Sequence, residues 1–158
     1  MANQTQNRSV VHDTFVLERT YPQSPEKVFS AFSDPKKKRR WMGGDDEGFV
    51  VESFDMDFQV DHYETWQFSF KGGEKIKTEI RYQDIVENNR IVVVYTMTFG
   101  DKRVSSSQIT TELIPTKDGT KLIHTEQGVF FDSVDQAEGR KVGTKELLEA
   151  LAKELEQH

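Results

Sequence analysis

The chain has 158 residues, of which 27 are acidic and 21 basic, giving a formal net charge of −6. That size fits one domain with a core of its own, and the absence of cysteine excludes disulfides and thiolate metal sites. A negative balance opposes phosphate binding, and the chain has neither an apolar run of membrane-spanning length nor an apolar leader in "MANQTQNRSVVH", so no membrane and a cytoplasmic setting are expected.

Residues 1–12 read as a flexible tail and 13–158 as the domain. From Thr14 to Tyr21, Phe15, Leu17 and Arg19 alternate with Val16, Glu18 and Thr20, which suits a strand. In "PQSPEKVFSAFSDP", Ser24 can cap a helix whose first position is Pro25, and Val28, Phe29 and Phe32 form its apolar stripe. Pro35 stops that helix and opens another, "PKKKRRWM". A run of five cations is not expected to be buried. The reading is a solvated helix face pinned by Trp41, with no aromatic residue among the cations to stack on bases.

The middle is rich in strands. Phe54, Met56, Phe58 and Val60 share a phase that continues through His62 to Trp66, Phe68 and Phe70. Lys71–Glu74 and Glu87–Arg90 are turn signals, and Ile76, Thr78, Ile80 and Tyr82 face one way between them. "IVVVYTMTF", "VSSSQITTELI" and "KLIHTEQGVFF" follow, joined by "GDKR" and "PTKDGT". Connections this short require antiparallel neighbours.

From about Asp135 the period becomes helical, with Leu147, Leu148, Leu151 and Leu155 on one stripe. Ser133 with Gln136, or Asp135 with Glu138, offers a capping pair. Gly139 and Gly143 lie on one face, and a close backbone approach there would explain them. The whole predicts an α+β fold: a curved antiparallel sheet of six to seven strands on a long C-terminal helix, with two short helices after the first strand.

Several segments carry a family resemblance: "ERTYPQSPEKVFSAFSDP" with "RW" at 40–41, "RYQDIV" at 81–86, and "TEQGVFFD" at 125–132 before "GTKELLEAL" at 143–151. In this order they resemble the SRPBCC (START and polyketide-cyclase-like) superfamily. Within it they resemble bacterial proteins similar to the C-terminal domain of the activator of the heat-shock-protein-ninety ATPase. The resemblance implies a helix-grip fold with a deep, mostly apolar pocket between sheet and helix. Two departures stand out: Asp61-His62 replaces the usual Gly-Gly, and the second helix is all basic where relatives mix signs.

No nucleophile, metal or phosphate-loop motif is present, and no cofactor is called for. His124 and Glu126 share the phase of Leu122 and should face the helix. An inward Glu126 would have its pKa raised by desolvation unless an arginine reached it, with Arg19, Arg81 and Arg140 the candidates. It is then an ion-pair anchor, a ligand contact or a proton donor. Trp41, Trp66, Phe68, Tyr82, Tyr95, Met97, Phe130 and Leu148 complete the expected lining, with the tyrosine hydroxyls in need of partners.

The function expected first is binding of a small hydrophobic or aromatic molecule in an internal cavity, as a carrier or sensor, without nucleic acid or membrane and with a homodimer allowed. The alternatives are a cyclase-, hydrolase- or isomerase-type enzyme using Glu126, and a co-chaperone-like interaction module. Chaperone activation itself is not expected, since the short tail leaves no counterpart to the activator's N-terminal domain.

Overall fold

The local signals for helix and strand are used largely where they stand. The computed structural model describes residues 9–44, 48–132 and 136–158. Helix α1 (Pro25–Ser33) opens with the Ser24 hydroxyl accepting from the Lys27 N–H at 3.3 Å. Helix α2 (Pro35–Gly43) follows at once, its first turn capped by the Asp34 carboxylate, which accepts from the Lys36 N–H at 2.9 Å. Each proline sits where no backbone donor is needed.

Seven strands form one open antiparallel sheet in the order β1-β7-β6-β5-β4-β3-β2. They are β1 (Val10–Tyr21), β2 (Phe49–Met56), β3 (Tyr63–Phe70), β4 (Ile76–Val86), β5 (Arg90–Phe99), β6 (Lys102–Thr116) and β7 (Gly119–Phe131). Register shifts at Val51/Ser53, Tyr82/Asp84 and Met97/Thr98 add an unpaired residue each and bend the sheet. Helix α3 (Gln136–Gln157) lies on the concave face. Among the described residues, no helix is long and apolar enough to cross a membrane.

Three expectations change. Residues 10–12 belong to β1, where Val10, Val11 and His12 pair with Phe131, Phe130 and Val129. The apolar phase from Phe54 to Phe70 is two strands, not one. Between them Phe58 turns back edge-on to Phe29 and Tyr82, while Val60 is exposed. Asp61 adopts φ 70° there, in the left-handed region that glycine enters most easily. Finally, a Cβ added at Gly139 or Gly143 would meet nothing within 4 Å among the described residues, so no close approach of the sheet explains them. The capping pairs at Ser133/Gln136 and Asp135/Glu138 lie outside the described residues.

The apolar core gathers at one end. Phe15, Leu17 and Tyr21 of β1, with Leu113 and Leu122, meet α1, Trp41 and the leucines of α3. Leu151 is fully buried, worth about 1.5–3 kcal/mol relative to leaving it in water. Leu148 and Leu155 extend the same stripe, whereas Leu147 is only partly buried against it. The other end of the concave face, under the N-terminal half of α3, is more open. Phe54, Phe68, Ile80, Met97 and Ile109 are only half-buried there.

Candidate functional site

Glu126 points inward, as its phase predicts, and is 1% exposed. Its partner is Arg140 from the first turns of α3, with Nη1 at 3.1 Å from Oε2. The Tyr95 hydroxyl donates to the same oxygen at 2.8 Å and accepts from Arg140 Nη1 at 2.6 Å. His124 Nε2 lies 3.4 Å from Oε1, with its ring stacked on Phe15. Arg140 Nη2 donates to Ser105 Oγ at 2.7 Å and reaches Met97 Sδ at 3.3 Å. One cation thus ties the N-terminal half of α3 to three strands.

The condition set for the Glu126 pKa is met: Arg140 does reach it, so the rise from burial does not prevail. Burial alone would push this carboxyl up. The hydrogen bond with His124, the charge of Arg140 and the Tyr95 hydroxyl together outweigh burial and hold it below its ordinary value. Burial and the neighbouring carboxylate push the Tyr95 phenol far up, so it remains a neutral donor.

A second buried carboxylate lies across the sheet. Glu64 of β3 is fully buried and takes Lys38 Nζ at 2.8 Å, Trp66 Nε1 at 2.7 Å and the Tyr82 hydroxyl. Tyr82 is raised by burial first and by Glu64 next, so it too remains neutral. This corrects the reading of the basic run. Lys38 is 8% exposed, and Arg40 is committed to Glu154 of α3 at 2.7 Å. Lys36 and Arg39 are exposed, and Lys37 donates to Ser30 Oγ at 2.8 Å. The run is a solvated helix on one side and an ionic clasp on the other.

The structure therefore distributes the anticipated lining residues. Tyr95, Met97, His124, Glu126 and Phe130 meet around Arg140. Trp66 and Tyr82 belong to the Glu64 centre, and Phe68 sits near the sheet edge against Phe49. Trp41 is core, donating to the Ala31 carbonyl at 2.8 Å and packed edge-on to Phe32. Leu148 is core as well, its carbonyl accepting from Tyr21 at 2.9 Å. Both tyrosine hydroxyls proposed as ligand contacts already hold glutamates. Glu64, Lys38, Ser105 and Ser107 escaped the sequence reading; a lone acid at an inward strand position was the available signal for Glu64.

The enclosed cavity expected between helix and sheet finds no counterpart among the best-formed hollows of the described residues. One, of about 10 Å³, lies between α1 and the end of α3 at Lys27, Ala31 and Leu155. The other, of about 200 Å³, is on the convex side of β1 and β7 at His12, Thr14, Gln127 and Val129. The space opposite α3 is an open, half-buried strip.

A curved antiparallel sheet gripping a C-terminal helix, with two short helices inserted after the first strand, defines the helix-grip class. It suits a ligand-binding or protein-interaction module. The chain belongs to the family described as activator of Hsp90 ATPase homolog 1-like protein, whose model matches residues 22–156. Among solved structures it is similar to the Mll3558 protein of Rhizobium loti, with 49% identity over 92% of this chain and 99% of that one and a TM-score of 0.86. An uncharacterized protein of Rhizobium leguminosarum shares 33% identity over 96% of this chain and 99% of that one, with a TM-score of 0.91. The CV1439 protein of Chromobacterium violaceum shares 30% over 90% and 96%, with a TM-score of 0.76. No curated protein matches the chain.

Proposed function

We propose that the protein binds a small lipophilic or aromatic molecule on its concave face, between the N-terminal half of α3 and strands β2 to β7, as a carrier or sensor. The observation that carries this reading is the uncovered apolar strip. Phe54, Phe68, Ile80, Met97 and Ile109 keep partial solvent exposure on the face that the helix would otherwise close. Covering that strip with an apolar ligand removes it from water at about 25 cal/mol per Å².

Glu126 serves this reading as the fixer of Arg140. A carboxyl held ionised at neutral pH, with both oxygens engaged, is a poor general acid and a weak base, so its partners disfavour an enzymatic role. The test is native mass spectrometry of gently purified protein, followed by titration with an apolar fluorescent dye. Dye binding that hydrophobic competitors displace, and that weakens when Met97 or Ile109 becomes Asp, is the expected result. A dye that ignores the folded protein, together with ligand-free mass spectra, would remove the binding reading.

A further inference from the structure

An open sheet has two free edges, and here they are built differently. The β2 edge is 8 residues long, shifts register between Val51 and Ser53, and holds Glu52 in an ion pair with Lys75 at 3.0 Å. Shortness, a bulge and charge are common means of keeping an edge from pairing with another chain. The β1 edge has no bulge and no proline. It keeps one register with β7 over 12 residues, and Val10 and Val16 are more than half exposed on it.

The phase of its backbone groups follows from one contact. The Ser9 carbonyl accepts from the Asp132 N–H at 2.8 Å, in register with the pairs of β1 and β7 beyond it. Hydrogen-bonded and non-hydrogen-bonded pairs alternate along an antiparallel ladder. Phe15, Leu17 and the other odd-numbered residues of β1 therefore bond to β7. His12, Thr14, Val16, Glu18 and Thr20 turn their N–H and C=O groups to the free edge, and all five are exposed. Arg19 agrees with this phase, since its Nη1 reaches round to donate to the Thr20 carbonyl at 2.7 Å.

Charge then selects the chain that fits. Asp13 and Arg19 share the inward phase of β1 with Phe15 and Leu17. Asp13 is exposed, and Arg19 is 33% exposed beside Glu149, with Nε at 2.8 Å from its carboxylate. A charge in this phase deters a strand that would set an apolar or like-charged residue against it. A second β1, laid antiparallel with Val16 opposite its own copy, answers both charges. Asp13 falls opposite the partner's Arg19, Phe15 opposite the partner's Leu17, and the outward-bonding residues of one edge meet those of the other. The Asp13–Arg19 pair takes a non-hydrogen-bonded position, where facing side chains stand closest. A slip of one residue would set bonding residues against non-bonding ones. A slip of two would put Asp13 against Leu17 or Tyr21.

We infer that the protein forms a two-fold homodimer by antiparallel pairing of β1 with the β1 of a second copy, centred on Val16, which joins two seven-stranded sheets into one. The contact is self-complementary, so the charge pair occurs twice.

Sedimentation velocity of the full chain, from nanomolar to high micromolar concentration, should show a monomer–dimer equilibrium. Val16→Pro removes an edge N–H that bonds nothing within the sheet, so it should keep the wild-type circular dichroism and sediment as a monomer. Asp13→Arg sets like charges against each other twice and should raise the dissociation constant about tenfold or more. Arg19→Asp should do the same. An equal mixture of these two variants should recover the dimer, because each charge again meets its opposite, a result that a purely structural role for either residue would not give. A monomer at every concentration would overturn the inference. A dimer that persists in Val16→Pro would place the contact on another face, and a mixture that stays monomeric would refute the register; either outcome overturns it as well. Should Val16→Pro unfold, the two charge variants and their mixture decide alone.

Discussion

The concave face holds two buried glutamates that look alike and differ in what surrounds them. Each accepts from a tyrosine, on the next strand for Glu64 and two strands away for Glu126, and each is matched by a cation delivered from a helix. Glu64 is closed off by Trp66, Tyr82 and Lys38, all buried, and Phe54 packs against Trp66 at a tilt with centroids 4.1 Å apart. Glu126 instead sits near Ser107, whose hydroxyl has no partner among the described residues, and beside the half-buried Met97. A carboxylate with its surroundings filled anchors a fold. One with open space beside it can anchor the fold and also hold a neighbouring surface ready for a ligand.

The comparison breaks most visibly at Lys38. Lys38→Met leaves Glu64 buried without its cation, and should cost about 3–5 kcal/mol in urea unfolding. Ligand affinity per folded molecule should be unchanged. A loss below about 1 kcal/mol would show that the first centre is no anchor and that the distinction fails.

At the second centre Glu126→Gln keeps the shape and removes the charge opposite Arg140. The expected loss is about 1.5–3 kcal/mol, the worth of hydrogen bonds to a charged group. Probe affinity should fall as well, because Arg140 then no longer holds the start of α3 in one place. A stability loss without any change in probe binding would make the two centres equivalent.

Titration sharpens the same point. The folded Glu126 carboxyl lies below its ordinary value of about 4.5. Its contribution is therefore complete above that value and disappears as pH falls through the lower folded value. The stability difference between wild type and Glu126→Gln should be constant near neutral pH and shrink in acid, where the protonated carboxyl resembles the amide. A difference that grows in acid would mean that the folded carboxyl titrates high, with desolvation dominant.

Most of the frame was legible in the sequence because its signals are local. Ser24–Pro25 and Asp34–Pro35 cap helices by contacts within a few residues, and two-residue alternation marks strands wherever one face is buried. The break between β2 and β3 was hidden because Phe58 keeps the apolar phase while folding back onto Phe29 and Tyr82. The site was less legible for a related reason. Lys38 reads as one of five surface cations until its acid arrives 26 residues later on another element. Glu126 announced itself by phase, and Arg140 was one of three candidate partners, but only the tertiary arrangement selects among them. Ser107 gave no signal at all: an orphan hydroxyl is defined by what fails to surround it.

The smallest effect tests the basic run against itself. Lys36 and Arg39 are exposed beside the buried Lys38 on the same short helix. Changing both to Ala should alter stability by no more than about 0.5 kcal/mol, as for surface positions without partners. The same pair, with Lys37, carries what remains of the local positive field once Lys38 and Arg40 are matched by Glu64 and Glu154. Three cations on a molecule of net charge −6 attract phosphate weakly. Association with mixed duplex and single-stranded oligonucleotides should therefore appear only at low salt and vanish near physiological ionic strength, where screening acts over about 8 Å. Fluorescence anisotropy decides it: sub-micromolar binding that survives physiological salt and disappears in the double variant would make this helix an interaction surface, with the clasp to Glu64 serving to present it.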